Sequence, residues 1–335
     1  MKMPMTSLKL LASGNASIPA TTAWYLSDLG EFRGKQELYT RQSPQRLKAL
    51  VEHALIESAV SSNRIEGVAV EPSRVRHVLV SPTPLFRDRD EEEVRGYRDA
   101  LTWIHQDGRS IPVSSETIQR LHAMTRIIER YPDGSERVRF RTVPARETPA
   151  AMAQLVGNWQ ACLEERWVPP PIALAAFNLD FLCIHPFRDG NGRVSRLLWL
   201  LQSYQLGFEV GRYISLERLV EQHKDRYYQT LEQSSHGWHE GQHDPWPYVN
   251  YVLFILKAAY REFIERVGET SEPRGSKTRM VLEAIARFPG TFSLADLERA
   301  CPGVSRDMIR RVLNTRKEQT VDCIGRGPGA LWKKR

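Results

Sequence analysis

The stretch FLCIHPFRDGNGRVSRLL, residues 181–198, constrains this chain more than any other. An apolar helical run leads into His185. A polar turn then holds Asp189, Gly190, Asn191 and Gly192, and a second helix opens with Arg193 and Arg196 in its first turns. Glycines on both sides of Asn191 let successive backbone N–H groups turn inward as an anion-binding nest, and the following helix N-terminus adds partial positive charge. Arg193 and Arg196, three apart, offer two guanidinium forks on one side of that helix. Asp189 beside a polyphosphate suits Mg²⁺, a hard ion commonly held by one or two carboxylates and substrate phosphates. His185 across the turn suits a general base for a hydroxyl attacking phosphorus. Singly, these features are a packed histidine, a turn and a solvated face; together, at this spacing, they describe a phosphate site.

Around this stretch the periodicity is helical. Residues 43–64, SPQRLKALVEHALIESAVSSNR, place Leu47, Leu50, Val51, Ala54, Leu55 and Ala59 at helical spacing, with Ser43 as a candidate N-cap and Pro44 in the first turn. Further amphipathic helices are expected over 90–106, 115–129, 149–166, 171–183, 192–205, 216–233 and 245–267. Alternation of the strand type is confined to about 137–144, RVRFRTVP, read as a short hairpin or extended flap. Residues 1–40 are weakly patterned and carry no assignment. The sequence GETSEPRGSK, 268–277, has linker composition. Beyond it come helices at 277–287, 294–300 and 305–317 and two strand-like pieces, TVDCIG and ALWKKR, around RGPG. That is the order of a winged helix-turn-helix. On its third helix Met308, Ile309, Val312 and Leu313 form the inward stripe, leaving Arg306, Arg310, Arg316 and Arg311 outside.

The composition, 41% hydrophobic and 26% charged over 335 residues, is that of a globular protein. No run approaches the roughly 18 apolar residues of a membrane span, and the start MKMPMTSLKLLASGNASIPA lacks a signal-peptide core and cleavage site. The expectation is a cytoplasmic protein with no membrane partner. Cys162, Cys183, Cys301 and Cys323 are scattered without C-x-x-C spacing, so reduced thiols are expected in place of a zinc site or disulfide framework. The net charge of +7 is uneven: from Pro273 to Arg335 there are 14 Lys and Arg against 6 Asp and Glu, a balance of +8. That asymmetry points to an anionic partner for the tail, nucleic acid first.

HPFRDGNGRVSR, residues 185–196, resembles the signature H-x-F-x-D/E-G-N-G-R-x-x-R of the Fic family of the Fido fold, with every specified letter present. The resemblance implies a mainly α chain: an all-helical Fic core with a short β flap, followed here by the small winged helix-turn-helix. It divides the chain into a helical region at 1–100, a core at 101–267, a linker at 268–277 and the winged-helix-like domain at 278–335. It implies an adenylyltransferase that uses ATP and Mg²⁺ to place AMP on a Ser, Thr or Tyr hydroxyl of a target protein. His185 would deprotonate that hydroxyl and Asp189 hold the metal. Gly190, Asn191 and Gly192 would form the anion hole, with Arg193 and Arg196 on the outer phosphates and Arg196 at the γ-phosphate. Pro186 and Phe187 are expected to pack the loop. Tyr227 and Tyr228 either wall the adenine pocket, as similar tyrosines do in relatives, or belong to the core. FRTVPARETP, 140–149, lies where relatives carry the flap that aligns a target by strand addition.

In this family a helix bearing S/T-x-x-x-E-G/N restrains activity, and Ser62, Glu66 and Gly67 of SSNRIEG match it. The helix of about 43–66 would then be inhibitory, with the Glu66 carboxylate on Arg196 excluding the γ-phosphate. The alternative is a capped helix end with Glu66 solvated. Two other functions stay open: a DNA-binding regulator whose Fic-like body senses nucleotide, contacting DNA through residues 278–335, and an enzyme of the same fold that removes AMP or moves another phosphate group. A homodimer through a helical face is compatible with the sequence.

Overall fold

The computed structural model describes residues 6–13, 17–40, 44–125, 142–268, 276–288, 291–301, 304–316, 320–325 and 330–334. The chain divides into two compact units, Met1–Ile264 and Glu265–Arg335. The first runs α1 (Ser7–Ala12), α2 (Ala20–Thr40), α3 (Pro44–Ile65), α4 (Pro72–Val80), α5 (Arg89–Asp107), α6 (Ser115–Thr125), α7 (Thr148–Glu164), α8 (Pro170–Ile184), α9 (Asn191–Gln205), a 3-10 turn Val210–Arg212, α10 (Leu216–Gln222), α11 (Lys224–Ser235) and α12 (Trp246–Gly268). The last residues of α12 fall in the second unit. The fold is mainly α, and among the described residues no helix is long and apolar enough to cross a membrane.

α8 is the axis of the first unit. Every residue from Pro171 to Ile184 is buried, as a helix apolar on all sides must be. Asn178 ties it to its neighbours: its amide donates to the Ser195 carbonyl (2.8 Å), and its Oδ1 accepts from Ser195 (3.0 Å) and from the Tyr248 hydroxyl (2.6 Å). A second polar knot pins α1 to α8. The Ser7 hydroxyl and amide both donate to Asp180 Oδ1 (2.6 and 2.9 Å), Trp238 donates to the same oxygen (2.8 Å), and Ser7 Oγ also meets His243 Nε2 (2.8 Å). Burial pushes Asp180 up to about 6 and His243 down to about 4.

One sequence expectation changes. The single helix over 216–233 is two helices, α10 and α11, broken at His223 (φ −114°, ψ 32°). Of the expected flap, 137–141 lie outside the described residues. Residues 142–144 belong to no helix or strand, and the Val143 amide donates to the Ile184 carbonyl (3.4 Å). Pro144 then starts a turn whose carbonyl accepts from Glu147 (2.8 Å) and Thr148 (3.1 Å), leading straight into α7. Residues 1–40, unassigned above, supply α1 and α2.

The second unit runs α13 (Ser276–Arg287), β1 (Thr291–Ser293), α14 (Leu294–Ala300), α15 (Arg306–Arg316), β2 (Val321–Ile324) and β3 (Leu331–Lys334). Its strands form an antiparallel sheet in the order β1-β3-β2, with Trp332 opposite Phe292 and Cys323. It has its own core, including Val281, Phe292, Leu297, Ile309, Leu313 and Val321.

Candidate functional site

The site forms where α8 stops and α9 starts. α8 ends because His185 adopts a left-handed conformation (φ 55°, ψ 61°), its amide closing on the Phe181 carbonyl at 3.0 Å. A non-glycine residue held there carries a backbone cost, a hallmark of functional turns. The turn brings the His185 ring to the surface, with Nδ1 on the Leu182 carbonyl (3.4 Å). If Nδ1 is the donor, the Nε2 lone pair faces outward. Partial desolvation by its neighbours lowers the imidazole pKa from its ordinary value, which favours the neutral ring.

The return to helix needs a second left-handed residue, and there Gly190 (φ 83°) carries no Cβ penalty. Asn191 closes the loop by accepting from the Phe187 amide (3.0 Å) and donating to the Phe187 carbonyl (2.6 Å). The amides of Asn191, Gly192 and Arg193 then open α9, where the helical ladder offers them no acceptor. With the helix dipole they make a cradle for an anion. Asp189 lies at its edge, half exposed, with Oδ1 on the Gly190 amide (2.7 Å) and Oδ2 near Arg193 (3.2 Å). Among the described residues no group of three His, Cys, Asp or Glu could hold a metal by itself. Asp189 suits Mg²⁺ in the other way, as one hard oxygen ligand beside an anion cradle whose occupant supplies further oxygens.

The two arginines of the motif have different surroundings. Arg193 is buried, paired with the equally buried Glu93 of α5, whose carboxylate Arg89 also holds (2.7 Å). Its guanidinium is thus turned toward α5 and Asp189. Arg196 is buried too, but its partners come from the end of α3: Nε donates to Ser62 Oγ (2.8 Å) and Nη2 to the Ser62 carbonyl (3.0 Å) and to Glu66 Oε1 (2.8 Å). Burial alone would lower the Arg196 pKa, yet the Glu66 carboxylate carries it above its usual value. Its Nη1 is buried with no hydrogen-bond partner. The Glu66 carboxylate also lies against α9, since a methyl group on Gly192 would collide with Oε1. Glu66 therefore occupies both the guanidinium and the mouth of the cradle.

α3 is built to end there. Gly67 (φ 87°) takes the left-handed position, its amide donating to Arg64 (3.1 Å) and that of Val68 to Asn63 (3.0 Å), which is a Schellman cap. The capped helix end expected of SSNRIEG is present, but its Glu66 carboxylate is on Arg196 and not simply solvated. Lys224 holds the last turn through the Ile65 carbonyl (2.8 Å), and Arg64 pairs with Glu221 (3.2 Å). Behind Arg196, Tyr97 donates to the buried Glu217 (3.1 Å), which also accepts from Ser58 (2.7 Å). Of the two tyrosines, Tyr227 is buried among Tyr248 and Tyr251, its phenol pushed up to about 12. Tyr228 keeps 38% of its surface and stands edge-on to Tyr227.

Three contributors escaped the sequence reading. Glu93 is one acid in the run DEEE. Lys224 precedes Tyr228 on α11. His122 of α6 stacks on Phe187 (3.7 Å between centroids, 1°) with Nε2 at the Asp189 carbonyl (3.0 Å), bracing the loop from below.

A helical body with a left-handed histidine facing a glycine-opened anion cradle is the architecture of Fic domains, and residues 112–202 match the Fic/DOC family model. The chain is 26% identical over 216 residues to a protein named protein adenylyltransferase Fic from Nematostella vectensis, covering 62% of this chain and 48% of that one; the chain spans about half the length of this curated relative. In fold it resembles a Fic family protein from Desulfovibrio desulfuricans G20 (TM-score 0.61, 23% identity, 96% and 97% of the two chains). It is likewise similar to Fic-1 from C. elegans (TM-score 0.58, 19% identity, 79% and 82%).

Proposed function

We propose that the chain is a protein adenylyltransferase held off by its own α3. The carrying observation is the convergence at the start of α9 of a left-handed histidine, open helix amides and a buried arginine whose carboxylate partner is partly exposed. In this reading ATP lays its phosphates along Gly190, Asn191 and Gly192, with Arg196 on the outermost. Asp189 would hold Mg²⁺, which supplies charge neutralisation. Nε2 of His185 takes the proton of a Ser, Thr or Tyr hydroxyl as that oxygen bonds to the α-phosphorus and the bond to the β-phosphate oxygen breaks, releasing pyrophosphate. Tyr228 is the exposed ring available to adenine; Tyr227 supports it from the core.

Glu66 opposes this by occupying Arg196 and adding negative charge beside the cradle. The test is intact mass after incubation with ATP and Mg²⁺. Glu66→Gly is expected to gain AMP on itself or on an added target extract, and His185→Ala in the same background to lose that gain by about 100-fold or more. An inert Glu66→Gly protein would sink the proposal. Faster loss of AMP from pre-modified protein with Glu66 present than absent would instead assign removal.

A further inference from the structure

α15 of the second unit has two unlike faces. Ile309, Val312 and Leu313 are buried in that unit's core. Arg306, Asp307, Arg310, Arg311 and Asn314 are exposed. Positions 306, 310 and 314 recur every four residues and so form one stripe along the helix. A groove of about 230 Å³ runs beside it, lined by Arg306, Arg310, Asn314, Leu294, Leu313 and Trp332.

The charges on this stripe are weakly committed. Arg306 meets Glu298 at 3.5 Å with 52% of its side chain exposed, and Arg310 meets Asp307 at 3.8 Å with 56% exposed. Exposed pairs at such distances contribute little and are readily exchanged. No apolar side chain stands on the stripe, whereas the centre of a protein interface is apolar and poor in charge. The residue types are those that read nucleic acid: arginine pairs with guanine edges, asparagine with adenine, and an aspartate can accept from cytosine. An α-helix fits the B-form major groove, while the major groove of A-form RNA is too narrow to admit one.

We infer that α15 and the adjoining β3 form a double-stranded DNA-binding surface. Arg310 and Asn314 face base edges, Asp307 tunes the choice of base, and Arg306, Arg311 and Lys333 meet phosphates. The +8 balance of residues 273–335 supplies the attraction. Lys333 lies on the exposed side of β3, opposite Thr291 and Asp322 in the sheet.

The experiment is fluorescence anisotropy of the full chain with a mixed-sequence duplex of about 30 base pairs from 50 to 200 mM NaCl, without nucleotide, so that it reads independently of adenylyl transfer. Three phosphate contacts give an expected log–log salt slope of about −3. Arg306→Glu/Arg310→Glu is expected to weaken binding about 100-fold, and the milder Arg306→Ala/Arg310→Ala to lower the slope by about 1, both with unchanged thermal unfolding. No binding at 50 mM salt, equal affinity of the charge-reversed and wild-type proteins, or equal affinity for duplex and single-stranded RNA would each overturn the inference.

Discussion

Arg193 and Arg196 lie one helical turn apart on α9, and each is buried against a glutamate, yet the two pairs are different devices. Glu93 sits within α5 with its side chain 1% exposed and a second arginine on it; Glu66 sits at the capped end of α3, 31% exposed. A fully buried pair cannot come apart without leaving a charge uncompensated, which makes it a brace. A pair at a helix end, with its carboxylate partly exposed, parts at lower cost when the last turn swings; in the function proposed above a phosphate would then take over the guanidinium, and the pair would act as a plug. Chemistry alone does not distinguish them; burial and the element carrying the carboxylate do.

The contrast can be broken most severely at Glu93. Glu93→Gln is expected to cost about 3–5 kcal/mol in urea unfolding. A loss below about 1 kcal/mol would show that Arg193 is free to leave α5 and join the phosphates. Glu66→Gln is expected to cost little stability, because Arg196 keeps both bonds to Ser62, and to raise adenylylation about tenfold or more, equivalent to about 1.4 kcal/mol. Equal stability losses at the two positions would erase the distinction. Lys224→Met removes the donor holding the Ile65 carbonyl. It should loosen the plug by about 1 kcal/mol, seen as a rate gain of about fivefold that vanishes in the Glu66→Gln background.

The smallest effect concerns pH. Burial depresses His185, so the base stays neutral down to below its usual range, and the acid limb of kcat/KM for Glu66→Gln should fall below pH 6.5. A limb above that value would mean that a different group limits the rate.

What could be read from sequence follows the range of the interactions. The junction of α8 and α9 was legible because glycines, histidine and arginines act on their immediate neighbours, and α3 because its apolar residues keep one period. Ser62, Glu66 and Gly67 were legible as a motif, and the cap at Gly67 is a local property. Glu93 and His122 were not, because their roles depend on which element packs beside α9 and the loop. The break at His223 has no proline or glycine to announce it. It lets α10 lie along α3 through Glu217 and Glu221 while α11 turns to bring Lys224 to the Ile65 carbonyl. The pairing of Arg193 with Glu93 was not legible either, because spacing says where a side chain starts, not which element packs against it.

The knot at Ser7 bears on how this molecule comes into being. Asp180 lies five residues before His185 on the same helix, and its partners stand 173 positions earlier and 58 later, with His243 joining Ser7 across 236. Contacts of such separation close late, since long loops must be ordered before they reward the chain. The helix that presents the base is therefore expected to lock only after synthesis has passed residue 243, long after SSNRIEG has emerged and folded into α3. By this order the segment that carries Glu66 is made well before the junction it packs against, and its pairing with Arg196 must wait for α9.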